Sequence, residues 1–152
     1  MQLEECANVL ASMINRLEPL HVLDYGCGQD LPLASALKDA GVVCAFKYQA
    51  YDKVVPKYAS MPFPADVVAC TTLLGTLNDK EAEAALDDLH RVTDCVGFFV
   101  IKASQRPAEW WLPRIMVRFD LQTFQVVEGD SFYVVVYSHK GVIENVEGEK
   151  LA

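Results

Sequence analysis

A short apolar run that ends in an aspartate and turns on two glycines, Val22-Leu23-Asp24-Tyr25-Gly26-Cys27-Gly28-Gln29-Asp30, fixes what the chain around it can be. A strand that passes at once through Gly-x-Gly into a helix start leaves backbone N–H groups unpaired beside the positive end of a helix dipole. A Cβ at either glycine would obstruct the turn or hold a ligand away from the backbone. Such a turn suits an anionic ligand group, and it also occurs as a mere tight connection in α/β domains. The neighbouring segments decide between the two.

Apolar residues at Leu3, Cys6, Ala7, Leu10, Met13, Ile14 and Leu17 have the three-four spacing of an amphipathic helix that Pro19 ends. Leu20 to Tyr25 reads as a strand buried on both faces. Asp30 stands where a helix N-cap belongs, with Pro32 in the first turn and Gly41 as the stop. Val42 to Tyr51 is a second strand ending at Asp52, and the three prolines between Lys53 and Pro64 exclude a long helix there. Asp66 to Cys70 is a third strand. Asp79 to Val92 is a helix capped by Asn78 or Asp79, and Val96 to Ile101 a fourth strand. Glu109 to Phe119 is a further helix with Pro113 near its beginning. Thr123–Val127 and Phe132–Tyr137 flank Gly129-Asp130 as a hairpin at the sheet edge. The fold class is therefore α/β: one doubly wound, mostly parallel, Rossmann-like sheet ending in an antiparallel hairpin. It occupies residues 1–137, with a polar tail over 138–152.

With 152 residues, 52% of them apolar, the chain makes one domain with a real core. No stretch is apolar for the length a membrane span needs, and the acidic start lacks the pattern of a secretory signal. Five scattered cysteines without CxxC spacing point to neither a disulfide framework nor a metal site, and with the missing signal they place the protein in the cytoplasm. A net charge of −8 opposes nucleic-acid binding, for which Lys47, Lys53 and Lys57 are the only basic cluster in the first half.

Three features meet at the carboxyl ends of the central strands: the glycine turn, Asp52, and Cys70-Thr71-Thr72. Asp52 is placed to accept hydrogen bonds from a ribose diol, or to serve as a turn or cap residue. A dinucleotide turn needs a third glycine where Leu31 stands, which disfavours NAD.

From about His21 to Val136 these residues resemble the class I S-adenosylmethionine (SAM)-dependent methyltransferases. Val22-Leu-Asp-Tyr-Gly-Cys-Gly28 is similar to that family's acidic-x-Gly-x-Gly cofactor turn, and Tyr51-Asp52 to its ribose-binding acidic position. Met61-Pro-Phe-Pro-Ala-Asp-Val-Val68 resembles the lead into the fourth of its usual seven strands. Thr71-Thr-Leu-Leu-Gly-Thr-Leu77 stands where many members have a segment like TDVLEHI. Leu86-Asp-Asp-Leu89, Gly97-Phe-Phe-Val-Ile101 and Glu109-Trp-Trp-Leu-Pro113 resemble small methyltransferase-like proteins of bacteriophages and bacteria.

The resemblance implies SAM as cofactor and S-adenosylhomocysteine (SAH) as product. Asp24, Tyr25, Gly26, Cys27 and Gly28 would surround the methionine part, and Asp52 would hold the ribose. Ser60 and Met61 would lie at the adenine, with Cys70 and Thr71 near the methyl sulfonium. Only fourteen positions separate Asp52 from Asp66, so the family's third strand and helix are shortened or missing. Thr72, Gly75 and Thr76 replace acidic or histidine side chains of many relatives, which removes the obvious general base. Methyl transfer then relies on positioning and desolvation. His90 reads as a solvent-facing or capping residue; His21 and His139 are weak candidates too. Trp110 and Trp111 either roof an acceptor pocket or pack against the sheet. The implied function is SAM-dependent methylation of an unidentified small-molecule acceptor. The alternative is a SAM- or SAH-binding module that works as a partner or regulator without catalysis.

Overall fold

The computed structural model describes residues 1–140, and the sequence expectation of a polar tail from 141 onward lies outside them. Helix α1 (Leu3–Leu17) precedes β1 (His21–Tyr25), α2 (Pro32–Asp39), β2 (Lys47–Tyr51) and β3 (Ala65–Cys70). Then come α3 (Asp79–Val92), β4 (Thr93–Lys102), α4 (Ala108–Met116), β5 (Phe119–Val127) and β6 (Ser131–Ser138). The six strands form one sheet in the order β2-β1-β3-β4-β6-β5. The first four are parallel, and β6 and β5 are antiparallel to their neighbours.

Strand alternation divides the core into two layers. Leu23 and Tyr25 of β1 pack with Leu86 and Leu89 of α3 and with Trp111 and Ile115 of α4. Val22 lies on the opposite face with Leu10 and Ile14 of α1 and Leu33 and Leu37 of α2. The apolar stripe of α1 follows its period, with Cys6, Ala7, Leu10, Ala11, Met13 and Ile14 buried. Asn78 caps α3 reciprocally: its Oδ1 accepts from the Glu81 N–H at 2.8 Å while Glu81 Oε1 accepts from the Asn78 N–H at 3.0 Å.

Several boundaries differ from the sequence expectations. Strand β2 begins at Lys47, not Val42, because the preceding segment is held to α1: Asn15 Nδ2 donates to the Gly41 carbonyl and Asn15 Oδ1 accepts from the Val43 N–H. Helix α2 is not capped by Asp30, which is exposed; its N-cap is Leu31 at φ 51°, with no side-chain acceptor for the first-turn amides. Strand β4 begins at Thr93, three residues before the expected Val96. Helix α4 stops at Met116, and Phe119 instead opens β5, where it pairs with Ser138. Pro113 therefore sits inside α4, where its ring removes an intrahelical hydrogen bond and keeps the helix short. Ser138 is buried in β6 and is not part of a tail.

The expected shortening after Asp52 leaves β2 as an edge strand, followed by a single 3-10 turn at Pro56–Tyr58. The rest of the crossover is fastened by side chains. The Gln49 amide accepts from the Phe63 N–H at 2.9 Å and donates to the Phe63 carbonyl at 3.0 Å, and Arg91 donates to the Pro62 carbonyl. A side chain here does the pairing that a neighbouring strand would otherwise supply.

Candidate functional site

The turn after β1 is built as its two glycines require. Gly26 and Gly28 have φ of 84° and 77°, a region L side chains rarely enter. The N–H groups of Gly26 and Cys27 both donate to the Tyr51 carbonyl, at 2.8 and 3.0 Å, which locks the turn onto the end of β2. The Gly28 N–H donates to Asp52 Oδ2 at 3.0 Å, and Asp52 Oδ1 accepts from the Val54 N–H at 3.1 Å. Asp52 is itself fixed, since its N–H donates to the Tyr58 carbonyl at 3.0 Å. A carboxylate has about four acceptor sites, so two bonds leave Asp52 capacity for a diol. Leu31, a non-glycine residue at positive φ next to this turn, adds a strained position of the kind that collects at binding sites.

Asp24 sits beneath the turn, 1% exposed, and accepts a hydrogen bond from the Tyr48 hydroxyl at 2.5 Å. Burial pushes its carboxyl up to about 6; the Tyr48 bond works against this shift and the charge of Asp52 adds to it. The same low-dielectric pocket pushes the Cys27 thiol up to about 11, with the charges of Asp24 and Asp52 contributing, so this cysteine stays a protonated thiol at neutral pH. Tyr25 turns its phenol to the α3 layer, donating to Asp88 Oδ2 at 2.6 Å with its ring 5.0 Å from that of Tyr51. It offers the crevice only backbone.

The structure thus gathers Asp24, Gly26, Cys27, Gly28 and Asp52 into one cradle. Cys70 is fully buried, with burial raising its thiol pKa, while Thr71 stands half-buried just beyond it. Ser60 and Met61 lie on the exposed crossover, Met61 at 75% exposure, and among the described residues no hydrogen bond ties either to the glycine turn. Trp111 is wholly buried in the α3/α4 layer, and Trp110 stacks between the guanidinium groups of Arg106 and Arg114 at 4.7 and 3.9 Å, so the packing role accounts for both. His90 meets Phe119 edge-on. His21 lies 3.1 Å from Gln49 Nε2, and His139 pairs with Asp120.

Three contributors escaped the sequence reading. Tyr48 is one, although an aspartate inside an apolar strand needs a donor, and β2 was the nearest source. Leu73 is another: a Cβ on Gly26 would come within 3.0 Å of Leu73 Cβ, so that glycine also admits the segment after β3. The third is a cleft of about 510 Å³ between the N-terminal end of α1, Thr71 and Thr72, the end of β4 and the β5–β6 turn.

Glycine at position 75 is required sterically. A Cβ there would lie 2.6 Å from the Lys102 carbonyl oxygen and 3.1 Å from its nitrogen. Only glycine lets the 3-10 turn Leu74–Thr76 dock on the end of β4. Gly75→Ala should therefore destabilise the fold by about 1–3 kcal/mol, the usual range for overpacking, as measured by urea unfolding.

No protein-family model matches the chain, and no curated protein matches it in sequence. Among solved structures it is similar to magnesium protoporphyrin IX methyltransferase from Synechocystis with bound SAM, at 16% identity and TM-score 0.67 over 89% of this chain and 79% of that one. It is similar to the methyltransferase domain of bacterial CtHen1, at 13% identity and TM-score 0.66 over 90% of this chain and 100% of that one. It is also similar to a Burkholderia thailandensis 1,6-didemethyltoxoflavin-N1-methyltransferase with SAH, at 16% identity and TM-score 0.61 over 87% and 78%. The chain has the fold of the class I SAM-dependent methyltransferases, with a sheet of six strands.

Proposed function

We propose that the protein is a SAM-dependent methyltransferase for a small-molecule acceptor. The observation that carries this reading is the Asp52 carboxylate held 3.0 Å from the Gly28 N–H, because it joins a diol acceptor to a side-chain-free turn. Support comes also from the similar structures, a magnesium protoporphyrin IX methyltransferase with bound SAM and a 1,6-didemethyltoxoflavin-N1-methyltransferase with bound SAH. The net charge of −8 disfavours a nucleic acid as acceptor.

The residues fit SAM in kind. Asp52 takes the ribose hydroxyls on the lone pairs that Gly28 and Val54 leave over. The first-turn amides of α2, lacking a side-chain cap, suit the cofactor carboxylate. Asp24, beneath the turn, supplies the negative charge that favours a cation there. Ser60, Met61 and Thr71 complete the assignment as adenine and acceptor-side contacts. Bound SAM would supply a methyl group on a sulfonium, a carbon electrophile for an acceptor lone pair. With Gly75 packed on Lys102, this chain contributes placement and exclusion of water instead of a base at that position.

Titration calorimetry with SAM and with SAH tests the reading, followed by SAH release assays on extracts. Binding with turnover supports an enzyme, binding without turnover a non-catalytic module, and no binding overturns both. Affinity for SAM should also rise from pH 5 to pH 7. A cation beside Asp24 favours its ionised form, so at low pH binding must first expel a proton.

A further inference from the structure

The sheet has two edges, β2 and β5, and only one of them is guarded. An unpaired strand edge offers a row of free N–H and C=O groups to any other strand, and proteins blunt such edges with short strands, lysines, prolines or covering loops. Strand β2 is treated in this way. It has five residues, opens on the exposed Lys47, and holds the crossover backbone at Phe63 through the Gln49 side chain. Strand β5 is nine residues long, and its residues 121–127 include no lysine, arginine, acid, proline or glycine. Its bulge, between Leu121 and Thr123, precedes a regular run over residues 123–127.

The side chains along this run suit one occupant. Phe124 and Val126 pair with Val134 and Phe132 of β6, so both lie on the α3/α4 face of the sheet, where they are 39% and 62% exposed. Thr123 and Gln125 pair with Val135 and Tyr133 and lie on the α1 face, as does Val127. A two-fold axis through Gln125 lays a second β5 antiparallel to the first. Phe124 then stands against the partner's Val126, Val126 against the partner's Phe124, and Thr123 against the partner's Val127. Aromatic and β-branched side chains meet in cross-strand pairs on both sides of the axis, and each Gln125 meets its own copy. A two-fold contact has to be complementary to itself. On a chain of net charge −8, a copy approaching on a charged patch meets like charge, and one approaching on this uncharged run does not. The same register sets Asp120 against the partner's Asp130, a like-charge pair that confines the contact to the run between them.

We propose that β5 is a docking edge for a second copy of this chain, and that the two copies form an antiparallel, two-fold dimer with one sheet continuous through both. The area sets its strength: contact along a single strand edge falls below the about 1,200 Å² of a standard interface, so the dimer forms and breaks with concentration. Such pairing is independent of whether the glycine turn takes SAM.

Sedimentation velocity on the full chain from about 10 to about 500 µM tests the dimer, with an amide-shift dilution series on ¹⁵N-labelled protein over the same range. The average mass should rise toward that of two chains, and the amides of residues 123–127 should shift while those of residues 47–51 on the guarded edge stay. Raising salt from about 0.02 to about 0.5 M should strengthen association, because it screens the repulsion between two acidic copies. Val126→Lys places a charge at an exposed position beside the axis and should weaken association about 10-fold without lowering the melting temperature. Val126→Thr, which keeps the β-branched shape, should fall between wild type and lysine. A chain that stays monomeric at the highest concentration overturns the proposal and leaves this edge to a strand of another protein. Association that shifts other residues, or that Val126→Lys leaves intact, overturns it as well.

Discussion

Asp52→Ala should lower the affinity for SAM and SAH by about 100- to 10,000-fold while leaving the protein folded. Two hydrogen bonds from a ribose diol to a carboxylate contribute about 1.5–3 kcal/mol each, and about 1.4 kcal/mol corresponds to a factor of ten in the dissociation constant. The variant also releases the Gly28 and Val54 N–H groups, but Asp52 is only partly buried, so water can replace its oxygens there. Stability should therefore change far less than affinity. Asp52→Asn separates charge from shape: it keeps an acceptor for the Gly28 N–H and should fall between wild type and alanine. Calorimetry on the three proteins, with thermal melts alongside, decides the matter. An alanine variant that binds SAH as wild type does would remove Asp52 from the site.

The parts of the fold legible in sequence were those governed by a repeating pattern. The three-four spacing of α1 and a cap at Asn78 or Asp79 translate directly into helices, with Asn78 the cap that is used. Gly129-Asp130 between two β-rich runs translates into the hairpin. Boundaries set by contacts between distant residues were not legible. Nothing in Val42 to Phe46 reveals that Asn15, on another helix, draws the segment off the sheet. Nothing in Phe119 reveals that it leaves the α4 pattern to pair with Ser138. The site divides in the same way. Gly26, Gly28 and Asp52 were readable because turn geometry and the strand end demand those residue types. Gly75 read, with Thr72 and Thr76, as the loss of a general base, and its steric reason appears only when the Lys102 backbone lies against it.

Asp24→Asn should change how stability depends on pH. The Asp24 carboxyl moves from an unfolded value of 3.8 up to about 6 in the folded protein, so between those limits the native state holds a proton that the unfolded chain has released. Stability from this group is thus greatest below pH 4 and declines as pH rises, with the full cost of a buried charge present above pH 6. At about 1.4 kcal/mol for each pH unit of difference, the cost is about 3 kcal/mol. Asparagine does not titrate. The unfolding free energy of the variant minus that of wild type should therefore swing by about 3 kcal/mol between pH 4 and pH 8, with the variant favoured at the alkaline end. Its own amide packing shifts that difference by a constant and leaves the swing intact. The groups facing Asp24 give the control. Asp52 raises its pKa and the Tyr48 hydroxyl lowers it, while Cys27 and Cys70 nearby stay protonated. Tyr48→Phe removes the stabilising donor from the ionised form, so it should steepen the loss of stability with pH, whereas Asp52→Asn should soften it. A difference that stays flat from pH 4 to pH 8 would mean that Asp24 ionises as freely in the fold as out of it. A charge that costs the empty protein this much is a cost that a cation docked at the glycine turn can offset, so losing it should leave a more stable protein that binds SAM less well.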